Sequence, residues 1–144
     1  DPYIDASEIK KSGAQHVSNY LDILKDMDAV SLHCPKNEET TDMFSEKEFN
    51  MMKNSSFLIN CARGGIVNEK ALYDALTSKK ILGAGLDVYD DEPSTSSNPL
   101  FGICAIAVIV IAIKTANNSV PFFIRNLSVI MVLTPHFLNY NHSS

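Results

Sequence analysis

Residues 55–88 read SSFLINCARGGIVNEKALYDALTSKKILGAGLDV, and the order of patterns within them decides the fold. "SSFLIN" (55–60) is apolar at consecutive rather than alternate positions, as a strand covered on both faces requires. "NEKALYDALTSKK" (68–80) switches to a helical period. Asn68 can cap its N-terminus, and Ala71, Leu72, Ala75 and Leu76 fall on one face. "ILGAGLDV" (81–88) then returns to the strand pattern. A strand, a helix and a second strand in this order form a right-handed crossover between parallel strands.

The same alternation extends outward on the N-terminal side. "DAVSLHC" (28–34) is a β-branched, apolar run stopped by Pro35. "SEKEFNMMK" (45–53) predicts a helix with Ser45 as cap and Phe49 and Met52 inward. "SNYLDILKDM" (18–27) predicts another, with Tyr20, Leu21 and Leu24 on one face. Together these segments predict an α/β fold with a doubly wound parallel sheet.

The character changes after Pro93. "STSSNP" reads as a turn or linker, and "LFGICAIAVIVIAI" (100–113) is apolar throughout. It is shorter than the roughly 20 residues a membrane span needs, and its Ile and Val content favours a buried strand. "LSVIMVL" (127–133) reads as a further strand, halted at Thr134-Pro135.

A length of 144 residues with 45% hydrophobic content suits one domain or part of one. The formal net charge of −5 and the lack of a Lys/Arg cluster argue against a nucleic-acid surface. Cys34, Cys61 and Cys104 share no metal-ligand spacing, which predicts no metal site and a reduced, cytoplasmic setting. The start "DPYID" lacks both an initiator Met and a secretory signal, and reads as the beginning of a fragment.

In an open parallel sheet, ligands bind outside the carboxyl ends of the strands. The residues there are His33-Cys34-Pro35, the run Cys61-Ala62-Arg63-Gly64-Gly65, Asp87 with Glu92, and His136. Arg63 by position alone is as well read as a surface arginine or an ion-pair partner. The two glycines behind it permit close approach of a ligand and leave its planar fork free to grip a carboxylate. His136 standing alone would be a solvent-facing histidine. Beside Glu92 it becomes a general acid/base, because a carboxylate favours the protonated ring and orients it. His16 and His142 lack such context and read as surface residues, and His33 reads as structural.

"DAVSLHCP…EETTDMF", "INCARGGIVNEKALYDAL", "GAGLDVYDDEP" and "LTPH" resemble, in that order, the NAD-binding domain of the D-2-hydroxyacid dehydrogenases. That group includes phosphoglycerate dehydrogenase and the glyoxylate/hydroxypyruvate reductases. The resemblance is nearly continuous from residue 1 to about 100 and resumes near 127–136. It implies a Rossmann-like domain, NAD as cofactor, and a small 2-hydroxy or 2-oxo acid as substrate. Arg63 then matches the substrate-anchoring arginine, Glu92 the catalytic glutamate and His136 the acid/base. Asp87 matches the residue that bonds the nicotinamide carboxamide, with the backbone of Cys61 and Ala62 on that group's other side. Cys34 and Pro35 match the segment lining the cofactor cleft. Asp1 matches the acidic residue on the adenosine ribose, which favours NAD over its 2′-phosphate.

The chain departs from the family pattern in three ways. The glycine-rich strand–loop–helix unit expected before Asp1 is missing, and so is a separate substrate domain. Glu92 and His136 are separated by an atypical apolar insertion at about 101–126, which reads as a buried element, a partner surface, or sequence foreign to the fold. After His136 come bulky residues, "FLNYN", where the family has small ones. The expectation is a partial NAD-binding domain spanning 1–144, inactive alone, homodimeric when full length, with no membrane or nucleic-acid partner. The alternative is a non-catalytic NAD-sensing interaction protein similar to the C-terminal-binding corepressors.

Overall fold

The computed structural model describes residues 3–92, 97–103 and 129–133. Asp1, His136, Cys104 and nearly all of the 101–126 insertion lie outside the described residues.

The elements follow the expected alternation. Helix α1 (Ala6–Lys11) leads to strand β1 (Ala29–His33), helix α2 (Glu46–Met51), strand β2 (Phe57–Asn60), helix α3 (Glu69–Thr77), strand β3 (Gly83–Leu86) and strand β4 (Val129–Leu133). The strands form one parallel sheet in the order β3-β2-β1-β4. The chain winds outward from β1 through β2 to β3, and β4 lies on the opposite side of β1. The direction of winding therefore reverses at β1, which makes the sheet doubly wound and puts a crevice at its carboxyl edge.

The apolar runs are strands because both of their faces are covered. Along β1, Ala29, Val30, Ser31 and Leu32 are all buried, and Leu58, Ile59 and Asn60 are buried in β2. Phe44, Phe49, Leu24, Leu72 and Ile81 fill the layers around them. Burying each such side chain stabilises the fold by about 1.5–3 kcal/mol.

Helix α3 starts where the sequence predicts: the Asn68 side chain accepts from the Ala71 N–H at 2.9 Å. Leu72 and Ala75 are buried and Ala71 and Leu76 half-buried. Ser45 and Glu48 form a capping box on α2, with Glu48 accepting from the Ser45 N–H at 3.0 Å. Phe49 and Met52 are both inward, as expected.

Two expectations need correction. Residues 18–27 form no α-helix but two 3₁₀ turns, Tyr20–Asp22 and Leu24–Asp26. Asn19 caps the first turn through the Leu21 N–H, and the Tyr20 hydroxyl donates to the Met43 carbonyl at 3.3 Å. Tyr20 is also stacked on Phe44 and Leu24 is fully buried, and with these two side chains fixed the segment tightens instead of propagating. The start of the run at 100–113 is likewise a 3₁₀ turn, Pro99–Gly102, initiated by Asn98 on the Leu100 N–H, and not a strand. Helix α1 was not anticipated. Its signal is Asp5, which caps the Ser7 N–H at 2.8 Å, followed by Glu8 in the first turn.

Candidate active site

The sheet delivers the ends of β1, β2 and β3 to one rim, with neighbouring strands about 4.8 Å apart. The segment after β2 is the most closely held of the three. Asn60, the last residue of β2, is buried, and its side chain folds back over the turn that follows. Its Oδ1 accepts from the Ala62 N–H at 3.1 Å, and its Nδ2 donates to the Arg63 carbonyl at 3.0 Å. The Asn60 carbonyl meanwhile accepts from the Asp87 N–H at 3.0 Å, which ties the β2 end to the β3 end. Sequence reasoning missed Asn60, although an amide closing an apolar run was a visible signal.

Arg63 is exposed beyond this turn. Its Nη1 donates to the Ala62 carbonyl at 2.7 Å, and among the described residues no carboxylate lies within ion-pairing distance of it. The glycines behind it have distinct roles. A Cβ on Gly64 would sit inside the Tyr89 carbonyl, so this glycine lets the loop after β3 close onto the turn after β2. Gly65 has φ +76°, a left-handed conformation that disfavours side chains. Its carbonyl accepts from the Asp42 N–H at 2.9 Å, and Phe44 and Val67 form a parallel bridge just beyond.

The acidic side of the rim comes from the loop after β3. Asp87 and Glu92 are both exposed. Glu92 accepts from the Tyr89 N–H at 3.1 Å, and so shapes its own loop. Glu69, at the start of α3, accepts from the Asp90 N–H at 2.8 Å and from the Asn98 side chain at 2.7 Å. Burial and then the Glu69 charge push the Asp90 carboxyl up, while the Gly65 N–H and Lys36 oppose them.

At the end of β1, the Cys34 thiol is buried and pushed up by that burial, so it stays protonated. Pro35 is half-buried, and its carbonyl accepts from the Thr40 hydroxyl at 2.7 Å. Cys61 is exposed and Ala62 half-buried. The His33 ring, 2.7 Å from the Ser31 hydroxyl, has its pKa lowered by burial, in keeping with a structural histidine. Burial also pushes Tyr20 up to about 12, leaving a neutral hydroxyl.

The structure thus brings Cys34, Pro35, Cys61, Ala62, Arg63, Asp87 and Glu92 to one edge of the sheet. Asp1 and His136 lie outside the described residues. The carboxyl end of β4, three residues before His136, opens at this same edge. Among the described residues, no group of three or more His, Cys, Asp or Glu side chains is arranged to hold a metal. No helix among them is long and apolar enough to cross a membrane. A groove of about 500 Å³ between α2 and α3, lined by Phe49, Asn68 and Asp74 among others, lies away from the rim.

The strand ends suit the nicotinamide half of a dinucleotide. The Asp87 N–H bond to the Asn60 carbonyl brings Asp87 next to the start of the Cys61-Ala62 turn. Among the described residues the Ala62 carbonyl accepts only from the exposed Arg63 side chain.

Residues 1–110 match the profile of the D-isomer specific 2-hydroxyacid dehydrogenase, NAD binding domain. The D-3-phosphoglycerate dehydrogenase of Methanocaldococcus jannaschii is 38% identical over 100 residues, which is 69% of this chain and 19% of that protein. The holo form of Rhodotorula graminis D-mandelate dehydrogenase superposes with a TM-score of 0.61 at 36% identity, covering 68% of this chain and 28% of that one. The NAD-complexed D-isomer specific 2-hydroxyacid dehydrogenase from Lactobacillus delbrueckii ssp. bulgaricus covers 91% of this chain and 36% of its own, with a TM-score of 0.59 at 32% identity. The chain spans about a fifth of the length of the curated relative.

Proposed function

The chain belongs to the D-isomer specific 2-hydroxyacid dehydrogenase family as its NAD-binding domain, and on that footing we propose that the protein carrying it moves a hydride between NAD and a small D-2-hydroxy acid. The observation that carries this reading is Arg63, presented on a glycine turn at a strand end and, among the described residues, bonded only to a carbonyl of its own turn. A guanidinium so placed accepts a carboxylate in two parallel hydrogen bonds.

The bound dinucleotide supplies the hydride chemistry. Asp87, with the Cys61-Ala62 backbone, would hold the nicotinamide carboxamide, the Cys34-Pro35 segment would line the cleft, and Asp1 would bond the ribose hydroxyls. Arg63 fixes the substrate carboxylate and favours the negative charge that grows on the carbonyl oxygen during reduction. His136 gives that oxygen its proton in reduction and removes it in oxidation. Glu92 orients the imidazole and favours its protonated form. The same reading makes the protein a cytoplasmic homodimer.

The test is hydride transfer by the full-length protein, followed through nicotinamide absorbance with a panel of 2-oxo acids. Arg63→Gln is expected to lower kcat/KM by about 10²–10³-fold, the scale of losing one stabiliser of developing charge. An unchanged rate refutes the role of Arg63. NAD binding without turnover of any acid refutes the dehydrogenase.

A further inference from the structure

Arg63 stands on the turn after β2 and Glu92 on the loop after β3, so they can serve one reaction only if the two loops are held in register. The contact between the loops runs through a single peptide unit, Tyr89–Asp90. Its carbonyl, from Tyr89, packs against Gly64, where no Cβ would fit, directly beside Arg63. The Tyr89 N–H donates to the Glu92 carboxylate at 3.1 Å. The Asp90 N–H, on the other side of the same peptide plane, donates to the Glu69 carboxylate at 2.8 Å.

A trans peptide is planar, and its carbonyl and N–H point in opposite directions. An acceptor that fixes the Asp90 N–H therefore also fixes where the Tyr89 carbonyl points, which is onto Gly64. Glu69 is that acceptor. It is the first residue of α3 and half-buried, and its other oxygen accepts from the Asn98 side chain at 2.7 Å. Asn98 in turn caps the Pro99–Gly102 turn through the Leu100 N–H. The two Glu69 oxygens thus hold the chain on either side of Glu92. An acid in the first turn of a helix ordinarily complements the helix dipole. That role would need the charge but neither of these bonds.

We propose that Glu69 is a positioning residue, whose carboxylate orients the Tyr89–Asp90 peptide and so sets Glu92 in register with the Arg63 turn. This rests on the dehydrogenase reading above, in which Glu92 favours the protonated His136.

Two variants of the full-length protein separate reach from charge. Glu69→Gln loses the charge and keeps an oxygen within reach of the Asp90 N–H. Glu69→Asp keeps the charge but is one methylene shorter. Reduction of glyoxylate, pyruvate and hydroxypyruvate is followed across pH. Glu69→Asp is expected to lower kcat/KM about tenfold on the acids turned over. The basic limb of its pH profile should move about 0.5–1 unit toward acid, because a displaced Glu92 favours the imidazolium less. Glu69→Gln is expected to lose less than about threefold, the scale of one neutral hydrogen bond, with the limb in place. A loss in Glu69→Gln equal to or greater than that in Glu69→Asp, or no loss in either, overturns the proposal. Should the wild type transfer no hydride to any of these acids, the dehydrogenase reading fails by itself. Hydrogen exchange of the Asp90 N–H then still tests the hold of Glu69 on the loop: faster exchange in Glu69→Asp alone supports it, and unchanged exchange in both variants refutes it.

Discussion

Replacing Gly64 with alanine tests how the site is assembled. The added Cβ would meet the carbonyl oxygen and carbon of Tyr89 well inside the 3.0 Å that real Cβ atoms respect, and would lie 3.0 Å from the Asp90 nitrogen. These are backbone atoms, held by the Tyr89 N–H bond to Glu92 and the Asp90 N–H bond to Glu69. No side chain can rotate away to relieve the clash, so the loops after β2 and β3 must separate until contact returns to at least 3.0 Å. Forced overpacking of this kind costs about 1–3 kcal/mol, or a fall in Tm of roughly 4–12 °C for a domain of this size. Gly65→Ala is the internal control. There the clash is with the flexible end of Lys36, and the φ of +76° adds about 1–2 kcal/mol of strain. Thermal and urea unfolding of both variants would measure the costs, and 2-oxo acid KM would report the displacement of Arg63. The Gly64→Ala protein should also bind the acid more weakly. A Gly64→Ala protein that melts with the wild type and keeps its KM would refute the close approach of the two loops.

Other predictions concern the supports of the rim. Asn60→Ala removes the partners of the part-buried Ala62 N–H and Arg63 carbonyl, and a loss of about 1–3 kcal/mol in urea unfolding is expected; a loss below about 0.5 kcal/mol would show that water replaces the amide. His33 gives a pH dependence. Its folded pKa lies below 6.5, so between 6.5 and that lower value the unfolded chain binds more protons. The His33 contribution is therefore complete above this window and is lost as pH falls through it. Unfolding free energies measured across it should drop toward acid, and His33→Gln should flatten the profile; an unaltered slope would assign the effect elsewhere.

The sequence by itself determined strands β1 to β3, helices α2 and α3, and the edge on which chemistry could occur. Consecutive apolar residues in 55–60 and 28–34 specify strands covered on both faces, and Asn68 and Ser45 mark helix starts through bonds spanning three residues. Interactions of that range are local, so a one-dimensional pattern carries them. Arg63 was legible for the same reason, being a cation and two glycines directly behind a strand. The 3₁₀ turns at Tyr20–Asp22 and Leu24–Asp26 were not legible, because Tyr20 is anchored to Met43 and Phe44 from another part of the chain. Only the tertiary structure decided why each glycine is needed: Gly64 admits the Tyr89 carbonyl, and Gly65 seats Lys36. It also decided that Asn60 cages the turn and that β4 lies beside β1. Those facts depend on strand order and register, which set which loops meet at a sheet edge, and residues far apart in sequence carry no local mark of that meeting.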